Sequence, residues 1–270
     1  MFGRVVKSLK NYKLHHPSVY FSTVFSPLSK MDISEEKMSS PLTRLRPGDD
    51  ASTLELSFTP KEKEIFSAVK GCCSHHKLST IVRVAGGFVR DKILGKESDD
   101  VDFSLDDMMG LDFARKMNEY LASIGVPTSG IGQIKENPDK SKNLKTATFS
   151  MFGLSIDVNN LRTETYQSDS RTPEMRIGTV LEDVLRRDFT INAMFYNINS
   201  GKVEDFTGQG LDDLRRGIIR TPFKDPSRTF IDDPLRVLRA CRFAARFGFR
   251  LDDPLFEAAK LSEVKNALAT

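Results

Sequence analysis

Two aspartates separated by one residue, Asp100 and Asp102, are the first side chains whose types and spacing imply chemistry. Apolar Val101 lies between them, and the stretch reads as a strand, where residues two apart share a face. The two carboxylates then stand side by side while Val101 enters the core. Such a pair repels and desolvates poorly unless a cation sits between its members. Mg2+, a hard cation held by one or two carboxylates and by substrate phosphates, meets that need. Just upstream, Ile81, Val82 and Val84 read as a buried strand, Gly86-Gly87 as a tight turn and the next residues as a short helix. Paired glycines let the backbone approach an anion closely, and a helix start offers it amides and a favourable dipole. Phosphate next to a divalent cation describes a nucleotide site.

Further along, the strand Leu154 to Asn160 puts Ile156 and Val158 on one face and Asp157 on the other, a candidate third ligand or base. Arg186-Arg187-Asp188 is a charge cluster at the end of an expected helix, Thr179 to Asp188. Asp233-Pro234 is a helix start, an N-cap acceptor followed by proline at the first helical position. The phrase Asp-Asp-Pro-Leu recurs at Asp252 to Leu255, so by itself it means only helix initiation. The first copy differs by carrying Arg236, Arg239, Arg242 and Arg246. At 100° per residue these share one broad face, opposite Leu238, Cys241 and Ala245. Four arginines on one stripe repel and need anionic or hydrogen-bonding partners.

The elements that must position these groups follow from periodicity. A helix is expected over Pro60 to Cys73 (Ile65, Phe66, Val69, Cys72) and another over Leu111 to Ile124. Gly130 to Ser141 reads as a loop, and Lys145 to Phe152 pairs with Leu154 to Asn160 across Gly153 as a hairpin. Thr163 to Gly178 is polar and reads as a flexible loop. Ala193 to Ile198 either continues the preceding helix or forms a strand. Short strands at Val203 to Phe206 and Ile218 to Thr221 flank a helix from Leu211 to Arg216, and everything from Asp233 onward reads helical. The chain therefore divides into a mixed α+β part, residues 60–222, and an all-α part, residues 223–270.

Composition sets the limits. The 270 residues are 39% hydrophobic and 29% charged with a formal net charge of +3, ordinary for a soluble protein and mildly receptive to a polyanion. No stretch has the apolar length of a membrane span. Three cysteines, Cys72, Cys73 and Cys241, form neither a disulfide framework nor a zinc spacing and fit a reducing compartment. Residues 1–30 contain no acid, carry Arg4, Lys7, Lys10 and Lys13 among apolar residues, and read either as an organelle transit peptide or as a basic tail. Met31 opens an acidic, polar segment and offers a second start, and residues 31–59 read as linker.

Taken in order, GGFVRDKILGKESDDVDF, RRDFTINAMFY, DFTGQGLDDLRRGIIRTP and DDPLRVLRACRFAARFGF resemble the first four motifs of the class II tRNA nucleotidyltransferases, the CCA-adding enzymes. LRTETYQSDSRTPEMRIGT resembles the corresponding loop of plant and fungal members. The resemblance, over Ile81 to Arg250, implies a polymerase-beta-like nucleotidyltransferase head with a mixed sheet, followed by an α-helical neck. It implies Mg2+ on Asp100 and Asp102, while Asp157 stays a candidate third ligand or base beside the reading of a solvated hairpin carboxylate. It also implies nucleotide contacts at Gly86, Gly87 and Arg90; Asp91 is expected to pair with an arginine and orient it. Arg187 and Asp188 are expected at the ribose with Asn192 in support, and Gly208, Gly210 and Asp212 in a hinge. Asp233 and Arg236 are expected at the Watson–Crick edge of the incoming base, with Arg239 and Arg242 beside them. A carboxylate there accepts from the amine that C and A share and rejects U and G, which lack it.

The activity so implied is addition of C, C and A from CTP and ATP to the tRNA 3′ end, with no membrane partner. The expected location is mitochondrion or plastid, or cytoplasm and nucleus from Met31. Poly(A) addition and partial CC- or A-addition remain alternatives, because the head motifs do not separate them. Relatives continue past the neck into domains that grip tRNA, so a chain ending at Thr270 is also open to being a weakly active nucleotide- or RNA-binding fragment.

Overall fold

Period-two alternation decides how the central sheet is covered. In the computed structural model, which describes residue 45 and residues 49–98, 101–134, 146–165 and 174–269, a seven-stranded sheet has the order β3-β4-β5-β2-β1-β8-β9. Asp100, the segment 1–30 and the Met31 start lie outside the described residues. Helix α1 (Pro60–His75) leads into β1 (Val82–Ala85), α2 (Gly87–Ile93), β2 (Val101–Leu105) and α3 (Gly110–Ser123). Then come β3 (Gly132–Ile134), β4 (Thr146–Met151) and β5 (Leu154–Asn160), followed by β6 (Arg162–Thr165), β7 (Glu174–Ile177) and α4 (Val180–Leu185). Strands β8 (Phe195–Asn197) and β9 (Lys202–Glu204) complete the sheet.

Neighbouring strands run antiparallel except β2 and β5, which are parallel, so the sheet is mixed as expected. Val82, Val84, Val101, Phe103, Leu105, Ile156 and Val158 are buried in one core with Ile65, Phe66, Val69 and Cys72 of α1 and Phe113, Met117 and Leu121 of α3. Alternate residues face the other way. Register sets Asp102 opposite Asp157 and Ser104 opposite Asn159, so the second face of the sheet is polar. That face is where the chemistry collects.

The mixed part closes with α5 (Gly210–Arg216) and β10 (Ile218–Ile219), and the second part holds α6 (Pro226–Asp232), α7 (Leu235–Phe247), β11 (Arg250–Leu251), α8 (Asp253–Ala259) and α9 (Ser262–Ala269). The second part departs from all-α at one place. Gly248 takes a left-handed conformation (φ 72°) that ends α7, and the returning chain pairs β11 in parallel with β10. Arg250 N–H donates to Gly217 O (2.9 Å) and Asp252 N–H to Ile219 O (3.0 Å).

Three other stretches differ from the sequence expectation. β3 lies within the segment read as a loop and pairs with β4 at the sheet edge. The ends of the polar 163–178 segment form an antiparallel hairpin, β6 with β7. Main-chain pairing holds that hairpin while Arg176 and Ile177 stay exposed, so its composition carried no burial signal. Finally, residues 49–59 of the expected linker pack on the head. Leu54, Leu56 and Phe58 touch the core at alternate positions, and the Phe58 ring lies 5.0 Å from Phe66 and 4.8 Å from Tyr196. The three cysteines are free, with Cys72 and Cys73 buried.

Candidate active site

The polar sheet face and helix α7 enclose a cavity of about 860 Å³. From the sheet side come Ala85, Asp102, Ser104 and Asn159. The turn after β1 supplies Gly86 and Gly87, and the end of α4 supplies Arg186, Arg187 and Asp188. The opposite wall is Asp233, Arg236, Arg239 and Phe243, with Ala267 and Leu268 of α9. The candidates Asp102, Gly86, Gly87, Arg90, Arg187, Asp188, Asp233, Arg236 and Arg239 are therefore brought together. Arg242 and Asp157 are not among the lining residues; Arg242 is exposed, its guanidinium 5.4 Å from the Phe243 ring centre, and Asp157 lies on the strand beside Asp102.

Each position has a local cause. Gly86 adopts φ 68° and ψ −124°, a conformation that favours glycine, and so turns the chain from β1 into α2. A Cβ there would lie 3.1 Å from Arg187 Nη1. Arg90 is only 4% exposed. Its Nε and Nη2 donate to the two oxygens of Asp91 (2.8 and 2.9 Å) and its Nη1 donates to Asn192 Oδ1. The guanidinium also stands over the rings of Phe243 (5.2 Å) and Phe247 (4.9 Å). Arg90 thus fastens the glycine turn to α7, and Asp91 orients it.

Asp188 is buried. Its Oδ1 accepts from Phe189 N (2.8 Å) and Asn192 Nδ2 (3.0 Å), and its Oδ2 accepts from Arg239 Nε (2.9 Å) and Nη2 (2.6 Å). Asp233 Oδ1 caps the start of α7 by accepting from Leu235 N (3.0 Å), while Oδ2 lies 3.6 Å from Arg236 Nε. Arg236 Nη2 donates to the carbonyl of Arg186 (2.7 Å).

The arginine stripe is real but sits differently from the sequence expectation. Val237, Ala240, Phe243 and Ala244 form the buried face of α7, Arg236 is buried beside them, and Ala245 on the far side is exposed. Arg239, Arg242 and Arg246 border that face, over the parallel rings of Phe243 and Phe247 (5.8 Å, 10°). Lys96 joins them, 4.9 Å from the Phe247 ring centre. The rings shield and attract these cations. The sequence also gave no sign of Asp183, which is 1% exposed yet grips Arg186 and Arg187; in sequence it looks like an ordinary acid in a first helical turn.

The donor set suits a hard divalent cation. Asp102 and Asp157 are direct neighbours on adjacent strands, about 4.8 Å apart in the backbone, and share the polar face. Thr148 Oγ1 donates to Asp157 Oδ1 (2.6 Å) and orients it. Oxygen ligands of this kind fit Mg2+, and Asp100, two residues before Asp102, would complete the set. Among the described residues no cluster of three or more His, Cys, Asp or Glu is present, so Asp102 and Asp157 are the described pair available to it.

Fold and cavity define the class: a polymerase-beta-like nucleotidyltransferase head. The family model of the poly A polymerase head domain matches residues 82–220, just over half of the chain, and the chain belongs to that family. It is 51% identical over 175 residues to the mitochondrial CCA tRNA nucleotidyltransferase of Saccharomyces cerevisiae, covering 63% of this chain and 32% of that protein. The chain thus spans about a third of that relative's length. Among solved structures, a CCA-adding enzyme in an apo form superposes with a TM-score of 0.61 at 33% identity, over 75% of this chain and 45% of the other. A CCA-adding enzyme in complex with CTP superposes at 0.56 with 32% identity, over 75% and 42%.

Proposed function

We propose that this chain carries the catalytic head and neck helices of a tRNA nucleotidyltransferase that adds C, C and A from CTP and ATP to tRNA 3′ ends, releasing pyrophosphate. One observation carries the reading: a single cavity joins a carboxylate strand, a glycine turn backed by arginines, and a helix start presenting Asp233 and Arg236. Asp233, already oriented by its cap on Leu235, accepts from the amine of cytosine or adenine, and Arg236 donates to the neighbouring ring acceptors. Arg187, Arg239 and the turn at Gly86-Gly87 receive phosphate and ribose oxygens, with Arg90 setting the turn. Asp100, Asp102 and Asp157 would hold Mg2+, which when bound neutralises charge on the reacting phosphate and lowers the pKa of the attacking hydroxyl. The protein's own contribution is orientation and a prearranged field of cations. The mitochondrial name of the yeast relative favours a mitochondrial location.

The family's description as a poly A polymerase head keeps poly(A) addition as a second reading. Labelled CTP and ATP, offered to tRNA lacking CCA and to an unstructured oligonucleotide, separate the two. The first reading expects CTP incorporation confined to tRNA. ATP-only extension of either RNA supports the second. Replacing Asp102 by Ala is expected to lower incorporation by 10² or more, a loss of the size seen when charge stabilisation is removed. Wild-type rates in that variant would sink the enzyme reading.

A further inference from the structure

One buried carboxylate holds several parts of the cavity wall at once. Asp183 Oδ1 accepts from Arg162 N (3.2 Å) and from Arg186 through Nε (2.9 Å) and Nη2. Asp183 Oδ2 accepts from Arg187 Nε (3.0 Å) and Nη2 (2.7 Å). Burying an ion is unfavourable unless it is paired and its lone pairs are satisfied, and here they are. Burial alone would push this carboxyl up, but the guanidiniums of Arg187 and Arg186 outweigh it and hold the group below the ordinary aspartate range.

The connections radiate from that point. Arg187, pinned at one end, donates from Nη1 to Asn192 O (3.2 Å) and lies against Gly86. Arg186, pinned likewise, offers its own carbonyl to Arg236 Nη2 (2.7 Å) and donates to Arg162 O (3.1 Å) at the base of the β6–β7 hairpin. The phosphate-side turn, the base-side helix and the hairpin base therefore share one anchor. Two arginines without it would repel and swing toward solvent.

We propose that Asp183 is a positioning residue of the nucleotide site, fixing Arg187 behind the glycine turn and, through the Arg186 backbone, the Arg236 side chain on α7. The proposal rests on the nucleotide reading of the cavity and adds a residue to it that would touch no substrate. Asp183 acts on where nucleotide is held, so its loss shows in affinity before turnover.

The test uses the full chain and equilibrium binding of CTP and ATP, with steady-state incorporation alongside. Asp183→Asn keeps the shape and removes the charge. Its Kd and KM for CTP are expected to rise about 10- to 100-fold, the range for losing one hydrogen bond to a charged group, while turnover of the folded fraction at saturating CTP changes less. In an Arg187→Ala background the same change is expected to add less than it does alone, because only the route through Arg186 to Arg236 remains. Should Asp183→Asn fail to fold, Arg187→Lys breaks the two-pronged contact while keeping the charge and is expected to weaken CTP binding by a similar factor. Unchanged CTP affinity in Asp183→Asn, effects that multiply in the double variant, or wild-type affinity in Arg187→Lys would each overturn the proposal while leaving the nucleotide reading intact. A wild-type chain that binds neither CTP nor ATP would overturn both.

Discussion

Helix α7 is clasped to the sheet domain by Asp188 and Arg239, and the two partners should not be equally costly to lose. Arg239 is 43% exposed in its side chain and Asp188 9%, so loss of the carboxylate leaves an arginine that water can take up, whereas loss of the arginine leaves a buried carboxylate with only its two other donors. Arg239→Ala keeps those donors, Phe189 N–H and the Asn192 amide, on Asp188, and should destabilise by about 1–3 kcal/mol. Asp188→Asn turns the charge-assisted bonds to Arg239 into at most one neutral bond, about 1–2 kcal/mol. Asp188→Ala also strands two buried donors, each worth about 1–3 kcal/mol, for a total of roughly 3–8 kcal/mol. For a chain of this size about 1 kcal/mol moves Tm by roughly 2–4 °C, so the series should spread over about 10 °C or more. Melting curves measure the spread, and CTP KM measured on the same samples should rise in all three because α7 carries Arg236. An Arg239→Ala variant that melts lower than Asp188→Ala would refute the reasoning, since it would mean that the buried donors stranded by loss of the carboxylate cost less than a carboxylate left without its arginine.

Two further outcomes follow from the same structure. Gly86→Ala is expected to destabilise by about 1–3 kcal/mol and to raise CTP KM, because alanine is strained at φ 68° and its Cβ crowds Arg187, whereas Gly87→Ala, whose Cβ would meet Arg90 Nη2 only at 3.4 Å, should fold nearly as well as the parent; equal melting temperatures would contradict this. Glu62 and Lys92 form an ion pair (2.7 Å) with side chains 3% and 4% exposed, joining α1 to the back of α2. Changing either one to methionine should cost about 3–5 kcal/mol by leaving a buried charge alone, while changing both should restore most of it, less the capping bond from Thr59 N–H to Glu62 Oε2, and a double variant no more stable than the singles would exclude the pair as the cause.

How much of this was legible in the chain depends on the range of the interaction. Alternation around Asp102 and Asp157 placed both on the face away from the core, because the two-residue repeat of a strand needs no knowledge of neighbours. The glycine turn, the hairpin at Gly153 and the helix start at Asp233 are equally local, and they stand where periodicity and capping put them. Partners distant in sequence were not legible. Nothing near Arg90 announces the rings of Phe243 and Phe247, and nothing near Asp183 announces that its carboxylate is buried. The β6–β7 hairpin and β3 escaped for a different reason: edge pairing is a main-chain event, and polar side chains do not record it.

The arginine stripe shows why both kinds of information are needed. Helical angle alone puts Arg236, Arg239, Arg242 and Arg246 on one side, a cluster that should push itself apart. In the fold each finds a separate counterweight: Arg236 the Arg186 carbonyl, Arg239 the Asp188 carboxylate, Arg242 the Phe243 ring, and Arg246 the Phe247 ring with Asp91 at 3.9 Å. These counterweights come from the sheet domain and from α7 itself, so the cations need no nucleotide to stay assembled. A site whose cations are held in place beforehand spends little binding energy on ordering them. In the proposed reading, specificity for the base would then rest on Asp233 and Arg236, which the Leu235 amide and the Arg186 carbonyl hold in place.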